Sequence, residues 1–138
     1  MPVDPSWYPP PDLARWVGGA LAALAIGLAA HRARALSRSG AVAATLVGST
    51  IVGAGGWWSG LLLVAFFVTS SLLSRLGQPV TADLALRGST RDAVQVIANG
   101  GIAALCALLA LTGSTWWDTA LAGAIAAANA DTWSSEIG

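Results

Sequence analysis

Charge is what this chain has least of. Only 10% of its 138 residues are Asp, Glu, Lys or Arg, against about 25% in an ordinary soluble domain. So few charges cannot cover the outside of a water-soluble core. An apolar content of 55% and a mean hydropathy of +0.66 describe a chain whose solvent is a bilayer. Lysine is missing altogether. All seven cations are arginine, and seven acids bring the net charge to zero, which excludes the basic footprint needed to grip a nucleic-acid backbone. Cysteine is almost missing: Cys106 stands alone in "ALCALLAL" and supports neither a disulfide framework nor a zinc centre. No GxxxxGK[ST] segment occurs either, so a phosphate-cradling loop of that kind is excluded.

Proline gathers at the start, with five of the six in "MPVDPSWYPPPD". A fixed φ and a missing N–H oppose an early helix, and no basic n-region marks a secretory signal. Residues 1–12 therefore read as a non-helical leader, with Trp7 and Tyr8 suited to a membrane interface, and residues 13–138 as a single transmembrane domain.

Long apolar runs set the architecture. Between Arg38 and Arg75 there is no charge, a stretch of about 36 residues that as one helix would reach roughly 54 Å. A hydrocarbon core is only about 30 Å thick, so the run must hold two spans, with "GAGGWW" (53–58) as the turn. The expectation is an all-α integral membrane protein with five transmembrane helices near 13–30, 40–55, 57–74, 93–111 and 116–136. In such a path Arg32, Arg34, Arg38, Arg75, Arg87 and Arg91 share one side, which the positive-inside rule makes cytoplasmic, with the N-terminus external. Trp16, Trp57, Trp58, Trp116 and Trp117 then fall at the opposite interface, where an aromatic belt belongs. A multi-pass protein of a bacterial inner (cytoplasmic) membrane is the expected setting.

Polar residues inside such spans are costly and mark sites or helix contacts. In "RDAVQVIANGG" (91–101), Asp92, Gln95 and Asn99 fall at i, i+3, i+7, on one helical face. They read either as a site beside Arg91 or as interhelical hydrogen bonding, worth about 0.6 kcal/mol per bond. Arg38 and Arg75 stand at span ends beside hydroxyls, as phosphate forks or as headgroup anchors. Arg32 and Arg34 read best as anchors. Asp118 suits a helix N-terminus, where a carboxylate complements the dipole. Asp83 and Arg87 suit an i, i+4 ion pair on a short surface helix.

The last ten residues, "NADTWSSEIG", end an Ala-rich span on Asn129, Asp131 and Glu136. Acids at a helix C-terminus oppose the dipole, which points to an arginine or metal partner there. On an ideal helix Asp131 and Glu136 lie about 140° apart, so they do not form a side-by-side acid/base pair unless the helix breaks near Asp131.

Three blocks in order, "RALSRSGAVAATLVGSTIVGAGGWWSGLLLVAFFVTSSLLSRLG", "RDAVQVIANGG" and "ANADTWSSEIG", resemble the integral-membrane family that includes plant phytyl-phosphate kinase and animal transmembrane protein nineteen, long labelled domain of unknown function ninety-two. The resemblance runs over about residues 31–138. Family members generally continue past "SEIG", so the chain looks like the N-terminal half of the family domain. The resemblance implies transfer of a phosphoryl group from a nucleoside triphosphate, CTP or ATP, to a prenyl monophosphate at the cytoplasmic face. Carried onto the matching positions, it implies Asp131 and Glu136 as Mg²⁺ ligands with Asn129 in support, Arg38, Arg75 and Arg91 on phosphate, and Asp92 and Asn99 orienting it.

Two other functions fit the composition. A small transporter would use the polar stripe as its pathway, with Gln95 or Asn99 reachable from both sides. A non-catalytic membrane subunit would tolerate Asp131→Asn and Glu136→Gln. Both are compatible with self-association in the bilayer.

Overall fold

The computed structural model describes residues 11–76 and 90–137, with the side chains of Glu136 and Ile137 outside the description. The leader up to residue 10, and the expected Asp83–Arg87 pair, lie outside the described residues. Four helical segments follow one another: α1 (Leu13–Arg32), α2 (Arg38–Leu76), α3 (Ala93–Ala110) and α4 (Trp116–Ile137). No strand occurs among the described residues. By length and composition α1, α2 and α3 qualify as membrane spans. The more polar α4, with Asp118 near its start and Asp131 near its end, does not join them. The expected five helices are therefore met by four segments, because helical backbone runs on both sides of Gly56 without an intervening loop.

Gly56 is where α2 fails to be one helix. Its φ of 85° and ψ of 173° belong to a region open essentially to glycine alone. At 1.5 Å per residue a straight α2 would place its ends more than about 55 Å apart. Instead Arg75, at the far end, donates from Nη2 to the carbonyl of Ala33 at 3.1 Å, just before α2 begins. The two arms, 38–55 and 57–76, thus run out and back. Ile51 of the first arm and Phe66 of the second meet in one buried cluster with Ala103, Cys106, Leu121 and Ile125 of α3 and α4. Cys106 is a buried member of that packing, in keeping with its apolar run.

The turn is held by a residue that sequence reasoning passed over. Arg15, 6% exposed, donates from Nε to the Gly53 carbonyl at 2.9 Å and from Nη2 to the Ala54 carbonyl at 3.4 Å. The last carbonyls of a helix have no donor of their own, and a cation there complements the dipole. Asp12 starts α1, accepting from the Arg15 backbone N–H at 2.7 Å as N-cap. The Trp16 ring packs beside Gly53, Trp57 and Trp58 follow the turn, and Leu121, one turn into α4 from Trp117, packs on Gly55. Trp16, Trp57, Trp58 and Trp117 therefore fall near this hairpin end.

At the opposite end, two connections are stitched together. Leu36 and Arg91 form an isolated parallel bridge, with Ser37 N donating to Arg91 O and Arg91 N to Ala35 O, both at 3.0 Å. Gly40 permits this approach, since a β-carbon there would overlap the Arg91 carbonyl.

Candidate functional site

The α1–α2 connection presents three successive carbonyls, and each accepts a bond from a distant part of the chain. Ala33 takes Arg75 Nη2 at 3.1 Å, Arg34 takes Thr90 Oγ1 at 3.2 Å, and Ala35 takes Arg91 N at 3.0 Å. Backbone groups away from a helix must find such partners, and here they come from segments at the end of α2 and the start of α3. The connection is therefore a platform that fixes two arginines from elsewhere around itself. It carries a third. Arg34 has a φ of 58°, a left-handed conformation costing a non-glycine residue about 1–2 kcal/mol.

Beside these residues lies an open polar cavity of about 340 Å³, lined by Ala33, Arg34, Ala35, Ser71, Ser74, Arg75 and Arg91. Three arginines line it and, among the described residues, no Asp or Glu does, so its field favours an anion. A guanidinium fork matches phosphate in two parallel hydrogen bonds, and serine hydroxyls add donors.

A second cavity, about 470 Å³ and almost wholly apolar, lies between α1, both arms of α2 and the first turns of α3. Gly27, Gly48 and Gly60 let its walls approach, Phe67 and Leu36 line it at one end, and Trp57 at the other. Arg91 lines both cavities, and its guanidinium carbon lies 5.8 Å from the centre of the Phe67 ring, within reach of cation–π attraction. The apolar cavity and the arginine-lined one thus share Arg91 as a lining residue.

The expected site residues distribute unevenly over this geometry. Arg75 and Arg91 come together in the polar cavity. Asn99 lines the apolar cavity, on the wall that includes Arg91. Asp92 precedes α3 as its N-cap rather than lying within it, accepting from Gln95 N at 3.0 Å while Gln95 Oε1 accepts from Asp92 N at 3.2 Å. This capping box gives Asp92 and Gln95 to helix initiation, and the three-residue polar stripe is reduced to Asn99. Arg38 is exposed in the first turn of α2 and lines neither cavity.

Helix α4 runs unbroken through Asp131, which settles the question of a break there. Asp131 is exposed, and the side chain of Glu136 lies outside the described residues. Asn129 is half-buried and its Oδ1 is enclosed without a hydrogen-bond partner, as is the hydroxyl of fully buried Ser70. Among the described residues no three His, Cys, Asp or Glu side chains gather as a metal site. For Mg²⁺, which prefers several oxygen ligands in octahedral geometry, this chain's described residues offer one carboxylate on an open helix face. That donor set is incomplete by itself.

Arg34 is the functional candidate that sequence reasoning missed. Its spacing from Arg32 and Arg38 looks like any positive-inside loop, and only the left-handed turn and the bridge to Arg91 bring it beside Arg75.

A family model described as integral membrane protein DUF92 matches residues 21–138. Protein PGR of Arabidopsis thaliana is 37% identical over 131 residues, covering 82% of this chain and 45% of its own length. An uncharacterized membrane protein of Methanocaldococcus jannaschii is 32% identical over 113 residues, covering 82% of this chain and 48% of its own. The chain spans about half the length of these curated relatives. No solved structure matches it.

Proposed function

The chain belongs to the integral membrane protein DUF92 family, and on that premise we propose that it takes part in phosphoryl transfer to a prenyl monophosphate, the tail in the apolar cavity and the phosphate in the arginine-lined one. The observation that carries this reading is that Arg91 lines both cavities. A lipid phosphate has the same two parts in the same order: a hydrocarbon tail for the bilayer and an anionic head at its edge.

In this reading each arm of α2 crosses the membrane, α4 makes a fifth crossing, and the arginine end faces the cytoplasm, where nucleoside triphosphates are found. The acceptor phosphate needs little help from a base, since its second pKa is near 6 and it is largely dianionic at neutral pH. The task left to the protein is placement and charge neutralisation, which dominate phosphoryl transfer. Arg34, Arg75 and Arg91 neutralise the two like-charged reactants as they approach, Ser71 and Ser74 add hydroxyl donors, and Asn99 orients the first carbons behind the head. Mg²⁺, when bound, would supply further charge neutralisation. Asp131 and Glu136 are the carboxylates proposed for it, each needing donors from beyond its own helix.

The test is direct. The purified chain in detergent is incubated with a prenyl monophosphate, Mg²⁺ and labelled CTP or ATP, and the labelled diphosphate is separated. Label is expected in the diphosphate, and the Arg34→Gln/Arg75→Gln double variant should lower its rate at least about tenfold, as loss of electrostatic donors does elsewhere. Protein that is helical by circular dichroism and transfers no label to any prenyl acceptor refutes the reading.

A further inference from the structure

We infer that Arg34 is kept at the left-handed end of α1 for its guanidinium, against the preference of the backbone, and that Thr90 is the residue that positions it for the phosphate; this rests on the functional reading above. The end of α1 is a complete helix stop. Arg34 N donates to His31 O at 3.0 Å and Ala35 N to Ala30 O at 2.9 Å, the paired bonds that close a helix on a left-handed residue. That residue is ordinarily glycine, which takes a positive φ without strain. Among the described residues a positive φ occurs at Gly56 and Gly113, both at 85°, and at Arg34, at 58°. At Gly113 a β-carbon would meet nothing within 4 Å, so glycine stands there for its dihedral and not for want of room. Arg34 is the exception to this usage, and it is the one that lines the arginine cavity. Strained residues of this kind persist where their surroundings over-determine them, and they cluster at binding sites.

What holds Arg34 comes from the start of α3. The two closing bonds use the amides of Arg34 and Ala35 and leave the Arg34 carbonyl outside the helix. Thr90 Oγ1, from 56 residues away, donates to that carbonyl at 3.2 Å. The next amide, Arg91 N, donates to Ala35 O at 3.0 Å. Successive donors of one segment thus meet successive carbonyls of the other, and the backbone that carries Arg34 is tied to the backbone that carries Arg91. Both arginines line the same cavity. Fixing their relative placement before the ligand arrives reduces what must be ordered when a phosphate binds.

Arg34→Gly separates the two demands on this position. It should melt at or above wild type, because relief at the dihedral offsets the freer unfolded chain. Its affinity for a prenyl monophosphate should fall at least about tenfold, as loss of a charged hydrogen-bonding partner does. Thr90→Val keeps the branched shape and removes the donor; it should weaken binding about threefold, whereas Thr90→Ser should bind as wild type does. In the Arg34→Gly background Thr90→Val should change affinity no further, since Thr90 acts through Arg34. The full chain is purified in detergent and titrated with a prenyl monophosphate of four isoprene units. Binding is followed by native mass spectrometry and melting by circular dichroism. If Thr90→Val does not fold, Thr90→Ala takes its place in the cycle. Wild type that binds, with affinity unmoved in Arg34→Gly or with the Thr90 substitution costing the same in both backgrounds, overturns the inference and leaves the functional reading standing. So does Arg34→Gly melting more than about 4 °C below wild type, a shift on the order of 1 kcal/mol. Folded wild type that binds no prenyl monophosphate overturns both.

Discussion

Replacing Arg15 with methionine tests how the hairpin end is held. The substitution keeps most of the apolar stem and removes the guanidinium that bonds the carbonyls of Gly53 and Ala54 at 2.9 and 3.4 Å. Two figures bear on the cost. Hydrogen bonds to charged groups in soluble proteins contribute about 1.5–3 kcal/mol, whereas polar contacts between membrane helices average about 0.6 and reach about 1.7. The membrane average is low because an unfolded helix in lipid still satisfies its own backbone. That does not hold at the last turn before Gly56, where carbonyls lack helical donors. With Arg15 only 6% exposed, water cannot simply take its place. One good bond and one long one then sum to about 2 kcal/mol. The assay is unfolding in mixed micelles by SDS titration, followed by circular dichroism, with Arg32→Met, at the exposed end of α1, as control. Arg15→Lys should recover part of the loss, since an ammonium reaches one carbonyl but lacks the fork. Arg15→Met within about 0.5 kcal/mol of wild type, or no different from Arg32→Met, would refute the reasoning.

Gly40→Val should lower stability by about 1–3 kcal/mol through overlap with the Arg91 carbonyl, and should cost phosphate binding as well, because the same bridge positions Arg91; an unchanged melting transition in detergent would count against the bridge. Asp92 can be tested for its task by a pair of variants. Asparagine caps helices about as well as aspartate, whereas alanine costs about 1 kcal/mol, so if Asp92 only caps α3, Asp92→Asn should keep both stability and phosphoryl transfer while Asp92→Ala loses stability. Loss of transfer by Asp92→Asn at unchanged stability would assign the carboxylate a part in the reaction.

A metal ion at α4 would need donors from more than one element. On a continuous α4, side chains five positions apart diverge by about 140°, so Asp131 and Glu136 cannot close on one ion from the same helix. The unpartnered, enclosed oxygens of Ser70 and Asn129 lie one turn beyond Phe66 and Ile125, which share a core cluster. Both arms of that interface therefore carry unmet polar capacity at a similar depth, and buried groups of this kind ordinarily have partners.

What this sequence determined by itself is the bilayer as solvent and an all-α chain whose longest apolar run has to turn. Scarcity of charge, runs too long for one crossing, arginines on alternate connections and tryptophans on the others follow from composition and spacing. These features act over one or two helical turns or over the thickness of a bilayer, so they can be read linearly. The turn at "GAGGWW" was legible for the same reason: glycines crowd where no other residue would fit. Tertiary structure decided which polar residues meet. Arg34 looked like a headgroup anchor and lies in the arginine cavity, Asp92 looked like part of a stripe and caps a helix, and Arg15 went unremarked although it holds the hairpin. Whereas Asp92 caps α3 through Gln95 three positions on, the outcomes at Arg34 and Arg15 depend on contacts between residues 38 to 56 positions apart in the chain, or on one left-handed dihedral. Neither leaves a periodic trace in sequence, because a hydrogen bond to a backbone carbonyl places no demand on the identity of the residue that owns it.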